Sequence, residues 1–106
     1  MQALILNLDR EADRLAWQIE QVTTLGLEPV RIAATTPATV TPPVDDTYWS
    51  TWERPLRTTE MACLCTHRAA WQHVVDTRAG CLVLEDDAML EPGISALLQR
   101  ISTNPV

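Results

Sequence analysis

Three carboxylates in a row, Glu85-Asp86-Asp87, close the apolar run Leu82-Val83-Leu84. Adjacent acids repel one another and are costly to desolvate together. A divalent cation offsets that repulsion, and hard oxygen donors suit Mg²⁺ or Mn²⁺. Side chains alternate along extended backbone, so Glu85 and Asp87 are expected to point the same way. One could hold a metal while the other holds its hydration shell or a ribose hydroxyl. The competing reading is a solvated turn leading into a helix, since acidic residues favour helix starts.

A second constellation lies upstream. At 3.6 residues per turn, Glu60, Leu64, His67, Trp71, Val74 and Val75 fall on one side of a helix. A carboxylate and an imidazole thus share the stripe expected to face the sheet, and buried polar groups have specific partners. The competing reading for Glu60 is favourable placement in the first turn of its helix, and for His67 a satisfied core histidine, ordinarily the more common outcome. Cys63-x-Cys65-x-His67 has the residue types of a zinc site. On a helix, however, Cys65 projects away from the other two and no fourth ligand is apparent, so zinc is not expected. Tyr48, Trp49 and Trp52 form an aromatic group that could stack on a sugar acceptor. In a chain without Phe, at least one Trp is expected to cover the core instead.

The elements that must position these residues alternate simply. Ala3 to Leu8 has the length and the Leu/Ile content of a buried strand. From Arg10 to Leu25, the residues Leu15, Ile19, Val22 and Leu25 recur at helical intervals, with Asp9 as the expected cap and Gly26 as the left-handed close. Pro29 to Ala34 reads as a second strand. Residues 35–58, with Pro37, Pro42, Pro43 and Pro55, read as a long loop, either functional or mobile. A second helix is expected from Thr59 to Arg78, ending at Gly80. Cys81 to Glu85 is a third strand, apolar enough for burial on both faces of a parallel sheet. Pro92 and Gly93 open a last helix carrying Ile94, Leu97, Leu98 and Ile101. This order predicts one small three-layer α/β domain over residues 1–106. In such sheets ligands bind beyond the carboxyl ends of the strands. The candidate positions are therefore Asn7-Leu8-Asp9, Ala33-Ala34-Thr35 and Glu85-Asp86-Asp87.

Composition narrows the chemistry. The 106 residues carry a net charge of −6, with eight arginines and no lysine. An acidic chain lacks the electrostatic footprint of a nucleic-acid binder, so no nucleic-acid partner is expected. The missing lysine removes P-loop and Schiff-base mechanisms. Three cysteines without paired spacing suit reduced thiols. No apolar run is long enough for a transmembrane segment and no signal peptide is legible. The expected location is cytoplasmic, or peripheral at the inner membrane face.

Three blocks together carry a family resemblance. They are Ile5-Leu6-Asn7-Leu8-Asp9-Arg10 with Arg14, then Leu56-x-x-x-Glu60-x-x-Cys63-x-x-Thr66-His67-x-x-x-Trp71, and Leu82-Val83-Leu84-Glu85-Asp86-Asp87-Ala88. In order and placement they resemble glycosyltransferase family 25, which includes lipopolysaccharide and lipooligosaccharide sugar transferases and collagen galactosyltransferases. Thr59 and Ala62 stand where the family pattern has Gly, and Thr66 where it has Ser. The resemblance implies a Rossmann-like, GT-A-type half-domain whose short parallel sheet is flanked by helices.

By the same resemblance, Asp87 with Glu85 would ligate Mn²⁺ or Mg²⁺. Asn7, Leu8, Arg10, Arg14, Glu85 and Asp86 would bind a nucleotide-sugar donor. Glu60 and His67 would brace the sugar pocket or contact the donor, and they are the candidate catalytic residues. The implied reaction transfers a hexose, such as galactose from UDP-galactose, to a carbohydrate or glycolipid acceptor of the lipopolysaccharide type. Family members continue well past the Glu-Asp-Asp helix, so two readings stay open: an active transferase, completed by a homodimer, or a non-catalytic donor-binding or interaction module. A receiver-like magnesium site using Asp9 is the rival from another class. It gives Glu60, His67 and Trp71 no role, and the absent lysine opposes it. Free strand edges in a three-stranded sheet are the reason to expect a homodimer.

Overall fold

The computed structural model describes residues Met1–Thr103. Three strands, β1 (Gln2–Asn7), β2 (Glu28–Ala33) and β3 (Cys81–Glu85), alternate with three helices, α1 (Ala12–Thr24), α2 (Thr58–Thr77) and α3 (Ile94–Thr103). The strands form one parallel sheet in the order β2-β1-β3. Central β1 is buried from Ala3 to Asn7, as its unbroken apolar run requires.

The two crossovers run in opposite directions across the sheet, so a constant hand places their helices on opposite faces. On one face Ala3, Ile5, Leu82 and Leu84 meet Leu15 and Val22 of α1 and Leu98 of α3. On the other, Leu4, Leu6, Val30, Ile32 and Val83 meet Ala70 and Val74 of α2. This is the three-layer α/β arrangement expected from the sequence. Fully burying a Leu or Ile side chain contributes about 1.5–3 kcal/mol, so β1 is the principal anchor of both layers. Among the described residues, β2 and β3 each pair with a strand on one side only.

Four local expectations are corrected. In α1 the buried residues are Gln18 and Val22, while Ile19 is 37% exposed. The helix turns Gln18 inward because the β3–α3 turn presents carbonyls there, and Gln18 Nε2 donates to Glu85 O and Ala88 O, both at 3.0 Å. Asp9 does not cap α1; Glu11 occupies the cap position without a side-chain bond, and Asp9 instead pairs with Arg31 at 2.6 Å. Gly26 does take the left-handed conformation, at φ 78°.

The stripe proposed for α2 is rotated. Met61, Ala62, Cys65, Thr66 and Ala70 are buried, whereas Trp71 and Val75 are exposed. Small residues let α2 approach the sheet closely, while Leu64 and Val74 of the stripe pack at the edges of the core. The helix ends at Arg78, itself left-handed at φ 54°, before Gly80 is reached.

Finally, the segment 35–57 is an ordered loop with its own small core. It holds two 3₁₀ turns, Pro37–Thr39 and Thr47–Ser50. Val40 and Trp49 pack on Met61, Ala62 and Cys65, and Trp49 Nε1 donates to Pro42 O at 2.8 Å. Trp49 is thus the core-covering tryptophan. Tyr48 and Trp52 stay partly exposed beside it, with ring centroids 4.9 and 5.7 Å from that of Trp49.

Candidate active site

Because chain order reverses between β1 and β3, the crevice at their carboxyl ends is the topological switch point of the sheet. A cleft of about 370 Å³ opens there. Its floor is Leu6 and the acidic triplet, one wall is Leu8, Arg10 and Arg14, and the opposite wall is the first half of α2 from Thr59 to His67. Ala34 to Pro37 close its end. Thr66 fixes that corner, because its Oγ1 accepts the Thr35 N–H at 2.9 Å and donates to Ala62 O.

The triplet divides as alternation requires. Glu85 and Asp87 are exposed, and Asp86 is turned inward at 8% exposure. Buried Asn7 holds Asp86: its Nδ2 donates to Asp86 Oδ2 and to Glu11 O, both at 2.9 Å. The Asn7 Oδ1 in turn accepts from Arg31 Nε at 2.9 Å. Asn7 therefore ties β1, β2 and the triplet together from beneath the cleft, with its polar atoms already engaged. Arg14 approaches Asp86 from the cleft side at 3.8 Å.

Behind the triplet, Gln18 and Gln21 clamp the turn that follows it. Gln21 Nε2 donates to Ala88 O at 3.0 Å and to Gln18 Oε1, while Gln21 Oε1 accepts the Leu90 N–H. Hydrophobic periodicity misses these glutamines. The available signal is that Gln18 completes the spacing of Leu15, Val22 and Leu25 better than Ile19 does.

His67 lines the cleft, with Nε2 4.0 Å from Glu85 Oε1 and its ring 6.1 Å from that of Trp71. Glu60 does not join it. Arg54 grips the Glu60 carboxylate with both terminal nitrogens, at 3.0 and 2.7 Å, and the Arg57 N–H donates to it at 2.9 Å. Glu60 is thus a helix-start residue. Those bonds, led by Arg54, lower its pKa from the ordinary 4.5 to about 2.

A depressed carboxylate adds stability that is fully present above its unfolded value and lost as pH falls through its folded one. Thermal melts should show a small loss between those limits, small because the pair is exposed and solvent-screened. The loss should be flattened in Glu60→Gln. An unchanged acid limb in that variant would contradict the assignment.

The donor chemistry of the cleft fits a hard cation. Asp86 is spoken for by Asn7, which leaves Glu85 and Asp87 as exposed carboxylates on the cleft surface. Two arginines share the same space. Carboxylates for a cation beside guanidinium groups for an anion are the complement of a metal-bound diphosphate.

No helix among the described residues is long and apolar enough to cross a membrane. No curated protein matches the chain. The family model described as "Glycosyltransferase family 25 (LPS biosynthesis protein)" matches residues 1–105. With that match running almost the whole length of a Rossmann-like α/β chain, the protein belongs to glycosyltransferase family 25, a lipopolysaccharide-biosynthesis family.

Proposed function

We propose that the cleft binds a nucleotide-sugar donor, a UDP-hexose such as UDP-galactose, for transfer of the hexose to a carbohydrate or glycolipid acceptor. The observation that carries this reading is the meeting of Arg10 and Arg14 with Glu85 and Asp87 in one cleft at the sheet's switch point. Arg10 and Arg14 bind the diphosphate oxygens, and Leu8 packs along the nucleotide. Glu85 and Asp87 would hold Mn²⁺ or Mg²⁺, which when bound stabilises negative charge on the leaving diphosphate. Asp86, fixed by Asn7, orients both neighbours. His67 shapes the sugar side of the cleft and contacts the donor.

One observation favours the second reading, a donor-binding module without turnover. Glu60 is held by Arg54, so one of the two candidate catalytic groups lies outside the cleft.

Calorimetry tests the donor site. UDP should bind in the presence of Mn²⁺ and lose at least roughly tenfold in affinity, about 1.4 kcal/mol, when the cation is chelated. Absence of UDP binding, or binding indifferent to the cation, would sink the proposal. Release of UDP from the bound donor on adding an acceptor glycan separates the transferase from the binding module.

A further inference from the structure

We infer that Cys63, His67 and Glu85 form a zinc site on the α2 wall of the cleft. Cys63 and His67 are four residues apart on α2, so their side chains lie on one face, one turn apart. The end of β3 brings Glu85 to the same face. A thiol sulfur, an imidazole nitrogen and a carboxylate oxygen then lie within 4.8 Å of one another, with His67 Nε2 and Glu85 Oε1 4.0 Å apart. Tetrahedral Zn²⁺, with sulfur at about 2.3 Å and nitrogen or oxygen at about 2.0–2.2 Å, holds such donors roughly 3.3–3.6 Å apart. A side-chain displacement of about 1 Å closes the set.

The donor types choose the ion. Carboxylates and water suit Mg²⁺ or Mn²⁺, whereas thiolate with imidazole selects zinc. The site is accessible: Cys63 is exposed, and the side chains of His67 and Glu85 are 32% and 62% exposed. It is also selective among the three thiols, because Cys65 is buried with its Sγ donating to Thr41 O at 3.6 Å and Cys81 lies by Gln2 at the opposite end of β3. On binding, Cys63 releases its thiol proton to solvent and ligates as thiolate. Three protein ligands leave the fourth position to water, as in open zinc sites. Zinc there takes Glu85 from the donor's cation, so the two antagonise each other; that consequence rests on the donor reading, and the site itself does not.

The test uses the full chain without nucleotide, with Co²⁺ as the spectroscopic stand-in for zinc. One equivalent of Co²⁺ should produce a thiolate-to-metal charge-transfer band that Zn²⁺ abolishes. The band should vanish in Cys63→Ser and persist in Cys65→Ala and Asp87→Ala. Loss of an indirect, outer partner of a metal ligand already costs about 10–100-fold in affinity. His67→Ala and Glu85→Gln, which remove ligands themselves, should each weaken Co²⁺ binding by at least roughly tenfold. Thermal melts establish that each variant is folded. No thiolate band in the parent chain, a band retained in Cys63→Ser, or Co²⁺ affinity unmoved by both His67→Ala and Glu85→Gln would overturn the site. Failure of UDP to bind leaves this result untouched, which keeps the two proposals separable.

Discussion

Replacing Asn7 with Leu should destabilise the fold by about 3 kcal/mol and lower its melting temperature by roughly 10–15 °C. The two side chains are similar in size, so the loss is one of hydrogen bonding rather than of volume. Asn7 donates to Asp86 Oδ2 and Glu11 O and accepts from Arg31. A hydrogen bond to a charged group contributes about 1.5–3 kcal/mol, and an unsatisfied buried partner adds its own desolvation cost. Asp86, 8% exposed, is left to an ion pair with Arg14 at 3.8 Å. Chemical denaturation should show a lower midpoint with an unchanged slope. Asn7→Asp sharpens the test. It keeps the shape and the acceptor for Arg31 but sets a second carboxylate against Asp86. Its deficit should equal or exceed that of Asn7→Leu near neutral pH and shrink as acid protonates the pair. A melting temperature within roughly 2 °C of the parent for both variants would show that Asn7 does not organise the site.

The elements that are legible in the sequence are those whose signal is local and apolar. Cys81–Glu85 is read to the residue because a continuous apolar run is bounded by Gly80 on one side and by acids on the other. The left-handed close at Gly26 is legible for a similar reason, since Gly tolerates positive φ at no steric cost. What is misread depends on partners distant in sequence. Ile19 outranks Gln18 on hydrophobicity, but only Gln18 can satisfy the carbonyls of Glu85 and Ala88. Those carbonyls are about 70 residues away, and helical periodicity carries no trace of them. Likewise, α2 packs on the sheet with Ala70 and Val74 and turns Ala62 and Thr66 inward, because close approach selects for small size rather than for apolar bulk. Trp71 and Val75 of the more hydrophobic stripe face out, while its Leu64 and Val74 stay partly buried. Glu60 is misread for a related reason: it opens α2, where Arg54 of the preceding loop and the Arg57 N–H hold its carboxylate. The alternation within the acidic triplet was legible because it is local, whereas the partner that holds Asp86 was not. The inward turn of Asp86 depends on Asn7, a residue 79 positions away.

The triplet's division of labour sets the second large effect. Asp87→Ala should reduce Mn²⁺-dependent UDP affinity by about a hundredfold, or roughly 2.7 kcal/mol, while leaving the melting temperature nearly unchanged. Asp87 is exposed at the cleft surface, and an exposed substitution away from buried networks usually stays within about 0.5 kcal/mol of the parent. Its neighbour Asp86 behaves in the opposite way. Asp86→Ala removes the acceptor of one of the two Asn7 amide hydrogens and should therefore lower stability together with affinity. The pair of variants separates an effect on the proposed cation from an effect on the framework of the site. Calorimetry with UDP and Mn²⁺, alongside thermal melts of both variants, reads the two effects independently. If Asp87→Ala binds UDP as the parent does, the cation is not held by the outward face of the triplet. A loss of affinity that instead follows Arg10→Ala and Arg14→Ala alone would place the diphosphate on the guanidinium wall without a metal, because those arginines complement its charge directly.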